Sequence, residues 1–169
     1  MAKASEPAWL TAARAKLGTR EIPGPTHNNV LLAFLNTAVK WNGVVWRDDE
    51  MPWCGGFVAA CLVAAGIEPV KIAARAKSWA TYGALLRKDR LSPGAILVFE
   101  REGGGHVGFY LGEDASTYHV LGGNQGNAVT ITRIAKSRLV ASRWPRSYPV
   151  NGRPVQLAAN GKPVSSDEA

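Results

Sequence analysis

Two cysteines and three histidines are the side chains of this 169-residue sequence best suited to nucleophilic chemistry. Cys54 and Cys61 stand seven apart in a segment with helical patterning, which puts them on one face but roughly 10.5 Å apart along the axis. A disulfide needs α-carbons within about 7 Å, so the two cannot pair on a helix. Cys61 lies between Ala60 and Leu62 in an apolar stripe and reads as a small core residue. Cys54 lies in Pro52-Trp53-Cys54-Gly55-Gly56-Phe57, at the start of the same helix. Unpaired N–H groups and the helix dipole favour a thiolate there, and the two glycines leave the sulfur open to a substrate backbone. A buried structural cysteine is the competing reading of this position.

A nucleophilic thiol needs a base. His27 sits in a Pro- and Asn-rich turn and reads as a surface residue. His119 alternates with Tyr118 and Val120 and fits a hydrogen-bonded sheet histidine. His106 follows Gly103-Gly104-Gly105 and opens a strand whose apolar face is Val107, Phe109 and Leu111. On the other face only Gly108 stands beside it, a gap where a helix N-terminus could approach. His106 is therefore preferred to His119. A third residue would accept the other ring N–H and hold the tautomer. Asn124, in Gly122-Gly123-Asn124-Gln125, is the best-placed candidate and Gln125 the fallback, with a plain turn as the other use of Asn124.

The elements that must position these residues change type near the middle of the chain. Pro7 to Leu17 reads as a first helix stopped by Gly18, and Asn28 or Asn29 caps a second that runs to about Lys40. Val30, Leu31, Phe34, Leu35 and Val39 form the stripe of that second helix. Cys54 to Ala65 forms a third helix, and Ala73 to Tyr82 a short fourth ending at Gly83. After Pro93-Gly94 the period becomes two. Residues 95–100, 106–111, 117–121, 129–134 and 139–144 are strand-length segments with short turns between them, which predicts an antiparallel meander. Helices first and strands second is the α+β pattern. Residues 1–148 read as one domain. Residues 149–169 read as a flexible tail that repeats Asn151-Gly152-Arg153-Pro154-Val155 as Asn160-Gly161-Lys162-Pro163-Val164.

Composition narrows the setting. Apolar residues make up 46% and charged residues 20%, values that argue against wholesale disorder. No apolar run approaches the ~18 residues of a membrane span, and Met1 to Pro7 shows no apolar leader. Twenty Lys and Arg against 13 Asp and Glu leave a net charge of +7, which points to a polyanionic partner. Five basic residues and no acidic ones fall between Arg133 and Arg146, yet no zinc-finger spacing, arginine-rich run or RNA-binding aromatic signature accompanies them. The plain reading of these patches is the solvated faces of a basic protein, and attraction to an anionic surface such as a bacterial wall comes next, ahead of nucleic acid.

The segments Asp49-Glu50-Met51-Pro52-Trp53-Cys54, Gly105-His106-Val107-Gly108-Phe109-Tyr110 and Leu121-Gly122-Gly123-Asn124-Gln125 resemble those of the NlpC-type and CHAP cysteine peptidases. More closely, the chain resembles a phage- and prophage-associated, endolysin-like subgroup of them. The likeness extends to Leu17–Gly24, Ser78–Gly83 and Arg143-Trp144-Pro145, and so covers about residues 8–145 in order. The resemblance implies a papain-like α+β fold, with N-terminal helices packed on a five- to six-stranded antiparallel sheet. It implies a bacteriolytic, monomeric peptidoglycan hydrolase that cuts an amide of the stem peptide, either as an N-acetylmuramoyl-L-alanine amidase or as an endopeptidase. It needs no cofactor or metal. Cys54 would be the nucleophile, His106 the base and acid, and Asn124 the orienting residue. Trp53, Trp79, Asp49, Glu50 and Gln125 would contact substrate, the acidic pair by meeting a free amine. Such an enzyme would be made in the bacterial cytoplasm without a signal peptide and reach the wall by holin release, virion delivery or injection.

Two departures from the family stand out. No Gln or Tyr precedes Cys54 to complete the oxyanion hole, which leaves Trp53 or a backbone N–H for that task. Some CHAP enzymes bind calcium with acidic residues ahead of the cysteine, but Asp48-Asp49-Glu50 lacks a spaced set of oxygen ligands. The rival readings are a metal-dependent amidase built on Cys54, His106 and His119, and a catalytically silent wall-binding or virion-assembly module.

Overall fold

A computed structural model of the chain describes residues 6–160 and 165. Its helices come first and its strands second, so the α+β expectation holds. α1 (Ala8–Arg14) starts behind Pro7 and stops short of the expected Leu17. α2 (Asn29–Asn36) is capped by Asn28, whose side chain accepts the Leu31 N–H at 3.1 Å.

The second helix does not run unbroken to Lys40. It stops at Thr37 and resumes as α3 (Val39–Asn42), which ends on left-handed Gly43. Asn36 exchanges hydrogen bonds with the Trp46 backbone at 2.7 and 2.9 Å, and the Thr37 hydroxyl bonds the Phe34 carbonyl at 2.7 Å. Both side chains bond the backbone in the way that competes with a continuing helix. The buried face is Leu31, Leu32 and Leu35, while Val30 is 70% exposed, so the expected stripe is turned by one residue.

α4 (Cys54–Ala64) forms where expected and ends before Gly66, whose φ is 75°. Every residue from Cys54 to Leu62 is buried, so this helix is central and not one-sided. Its glycines serve packing and do not open the sulfur to substrate. A Cβ at Gly55 would stand 2.2 Å from the Ala73 carbonyl oxygen, and one at Gly56 would stand 2.5 Å from the Trp46 ring. The expected fourth helix is a single 3-10 segment, Ala76–Thr81.

Six strands make one sheet: β1 (Ala84–Leu85), β2 (Ile96–Arg101), β3 (Gly104–Glu113), β4 (Thr117–Gly122), β5 (Thr130–Ala135) and β6 (Leu139–Trp144). The order is β1-β6-β2-β3-β4-β5, and each neighbouring pair is antiparallel. β2 to β5 form the expected meander, and β6 returns to the outer side of β2. β1, two residues long, is too short for alternation to reveal it.

The segment expected to be a free tail packs on the domain through Val155 and Leu157, and the Ser165 N–H donates to the Arg133 carbonyl at 2.7 Å. The Glu113 N–H donates to the Val155 carbonyl, and the Leu157 N–H to the Glu113 carbonyl, both at 2.8 Å. The Val155 N–H reaches the Tyr110 hydroxyl at 3.1 Å. Leu157 covers Gly112, where a Cβ would stand 2.5 Å from its side chain. Alternating Val155 and Leu157, which supply this contact, are the apolar signal that the proline-bearing repeat obscures. Of the second repeat, residues 161–164 lie outside the described residues. Among the described residues, no helix is long and apolar enough to cross a membrane.

Candidate active site

The N-terminus of α4 brings Cys54 against β3. β3 and β4 pair from Glu113 and Tyr118 down to Phe109 and Leu121. Past that point the Val107 amide lies against the Cys54 sulfur, directly after His106 in the chain. Burial pushes the thiol up. The amides of Val107, Gly55 and Cys54 itself and the charge of Arg101 offset part of that rise. Cys54 is only 5% exposed. Cys61 is wholly buried, its thiol pushed well up by desolvation, and neither cysteine is in a disulfide.

Gln125, and not Asn124, meets the imidazole. His106 Nε2 lies 2.9 Å from Gln125 Oε1. The Gln125 amide nitrogen donates to the Val120 carbonyl at 3.1 Å and the Thr130 carbonyl at 2.8 Å, so its orientation is set and its oxygen is the acceptor. It follows that Nε2 carries a ring proton and donates it to Gln125. Phe99, opposite His106 in the sheet register, lies nearly parallel to the ring at a centroid distance of 6.4 Å.

Asn124 does different work. Its Oδ1 accepts the Trp53 N–H at 2.5 Å, supplying the cap that the Trp53 side chain does not give α4. Its Nδ2 donates to Glu21 at 3.2 Å. The backbone at Asn124 is left-handed, with φ of 60°, and that twist turns the next residue, Gln125, toward the ring. The same Glu21 oxygen accepts the Trp53 indole N–H at 2.8 Å. Residues 18–21 are held there by backbone bonds to 127–129. Burial raises the Glu21 carboxyl above its ordinary value, with Asp49 and Glu50 adding to the rise. The sequence offered one sign of this arrangement, the Leu17–Gly24 segment, but assigned it no chemistry.

The expected substrate contacts are mostly occupied elsewhere. Trp53 and Trp79 are wholly buried, and the Trp79 indole N–H donates to the Ala73 carbonyl, so neither presents a face to a cleft. Both N–H groups of Trp53 are taken, which removes it as an oxyanion donor. Asp49 is also wholly buried. Burial pushes its carboxyl up, but the amides of Ile22 and Asn28 outweigh that and hold it below the ordinary range. It organises the loop after Glu21 instead of meeting an amine. Glu50 is exposed and accepts the Gly24 N–H at 3.1 Å.

His119 bonds Asp114 at 2.9 Å, and Asp114 also accepts from Thr117 and Arg133. His119 is thus a sheet histidine outside the Cys54 site. Among the described residues, the one His/carboxylate group with ligand atoms within 4.8 Å of one another is His27, Asp48 and Asp49. Asp49 Oδ2 already accepts the Ile22 and Asn28 N–H groups, its Oδ1 lies 3.3 Å from His27 Nδ1, and the group anchors the loop.

The assembled features are a thiol at a helix N-terminus, an imidazole on the adjoining strand, and an amide that orients it. This set is suited to nucleophilic attack on a carbonyl with proton transfer. No protein-family model matches the chain, and no curated protein matches it.

Proposed function

We propose that the chain is a papain-like cysteine hydrolase that cleaves an amide bond of the peptidoglycan stem peptide, as an amidase or an endopeptidase. The observation that carries this reading is the Gln125–His106 pair beside the Val107 amide that touches Cys54. In this reading His106 Nδ1 takes the thiol proton as Cys54 Sγ attacks the substrate carbonyl carbon. The same proton passes to the leaving amine as the C–N bond breaks, leaving a thioacyl-enzyme. Water, deprotonated by His106, then attacks the thioester carbon, the C–S bond breaks with the proton returning from His106 to Cys54 Sγ, and the acid product leaves. The Cys54 amide is one donor to the oxyanion. Wall peptidoglycan as the substrate rests on the ordered resemblance of residues 8–145 and on a net charge of +7, which suits an anionic envelope.

Cys54→Ala is expected to abolish release of soluble muropeptides from purified walls while keeping the melting temperature of the wild type. Undiminished release by that variant overturns the assignment. The 5% exposure of Cys54 is the observation that favours the second reading, a silent wall-binding or virion-assembly module on the same scaffold. Wall binding by the wild type without release of peptides or amines would establish it.

A further inference from the structure

Arg101 stands at the end of β2, where the register sets it opposite Gly104 and Phe99 opposite His106. Arg101, Phe99, Gly104 and His106 therefore share one face of the sheet, with Arg101 and His106 as diagonal cross-strand neighbours. Its Nε donates to the Gly105 carbonyl at 3.1 Å, which fixes the plane of the guanidinium. The two outer nitrogens remain for a ligand, and two adjacent N–H groups in that plane match a carboxylate. A Cβ built on Gly104 would meet only Arg101 Nη2, at 3.9 Å, so the space beside the guanidinium is open.

The nearby acids are engaged elsewhere or point to solvent. Glu100 pairs with Lys77 at 3.3 Å, and Glu102 is exposed. Among the described residues, Arg101 takes part in no ion pair. A half-buried cation without a protein counter-charge, beside a histidine, is placed to receive an anion. Its positive charge also reaches the Cys54 sulfur, where it favours the thiolate.

We infer that Arg101 is a specificity-determining residue of this site, binding a free carboxylate that the substrate carries next to the scissile amide. This inference rests on the proposed amide hydrolysis at Cys54. It selects stem peptides with an unmodified carboxylate over those in which that carboxylate is amidated.

The test is the cleavage of two synthetic stem peptides that differ only in one carboxylate or carboxamide, by the wild type, Arg101→Gln and Arg101→Lys. The wild type is expected to favour the carboxylate peptide about 10- to 100-fold in kcat/KM, the range a charge-assisted pair supplies. Arg101→Gln is expected to bring the two peptides to within about twofold of each other, mainly by raising KM for the carboxylate form. Arg101→Lys is expected to retain part of the preference. A wild type that shows no preference overturns the inference without any variant, as does an Arg101→Gln enzyme that keeps it. Binding of the same two peptides to Cys54→Ala, measured by calorimetry, gives a readout independent of turnover, and equal affinities again overturn the inference. If the wild type cleaves neither peptide nor purified walls, the parent reading falls and this one with it. Cleavage without preference removes this inference alone.

Discussion

Asn124 and Gln125 are neighbours with the same functional group, and they do opposite jobs. Gln125 holds the His106 ring, whereas Asn124 ties the Trp53 N–H to Glu21 and so steadies the end of the helix that carries Cys54. The two roles separate by measurement. Gln125→Ala is expected to lower kcat on muropeptides about 10- to 1000-fold, less than the roughly 100- to 10,000-fold that the acid–base group itself contributes. Asn124→Ala is expected to cost about 1 kcal/mol of stability, as lost helix caps do, and to show in the melting curve. A larger kcat loss for Asn124→Ala than for Gln125→Ala would return the orienting role to Asn124. Which of two adjacent amides meets a ring depends on the backbone twist between them. Here that is a φ of 60° at Asn124, a quantity no spacing rule reveals.

α4 shows how much of the element level was legible and where it stopped. Its start at Cys54 and its stop before Gly66 follow from glycine and apolar patterning. The strands other than β1 were also legible, because alternation and glycine-rich turns are local signals. The break between α2 and α3 was not. It depends on Asn36 meeting Trp46, ten residues on and across a loop. The role of the α4 glycines was hidden for the same reason, since Ala73 and Trp46 approach from elsewhere in the chain. Gly55→Ala tests that packing. The new Cβ would overlap the Ala73 carbonyl oxygen, and rigid backbone must move to admit it. A loss of about 1–3 kcal/mol in denaturant unfolding is expected. An unchanged midpoint would mean that the 73–74 loop yields freely and does not brace the helix.

For the whole molecule, residues 150–157 pack against the domain that carries the site. A chain ending at Pro149 loses the backbone bonds of Val155 and Leu157 to Glu113 and uncovers Gly112. It is expected to lose about 2–4 kcal/mol of unfolding free energy. Equal stability of the shortened and full chains would show the strap to be incidental. The strap also roofs a cleft of about 770 Å³ whose walls include Glu6, Trp9, Leu111, Tyr148 and Leu157. The first described residue and the strap thus meet around one cavity, at the Leu111 end of β3. His106 lies five residues away along that strand, roughly 16 Å at extended spacing. A passenger, bead or surface attached through Tyr148 or Leu157, which line this cleft, would sit on the side far from His106. Tethered forms of the protein should therefore keep access to large, insoluble material.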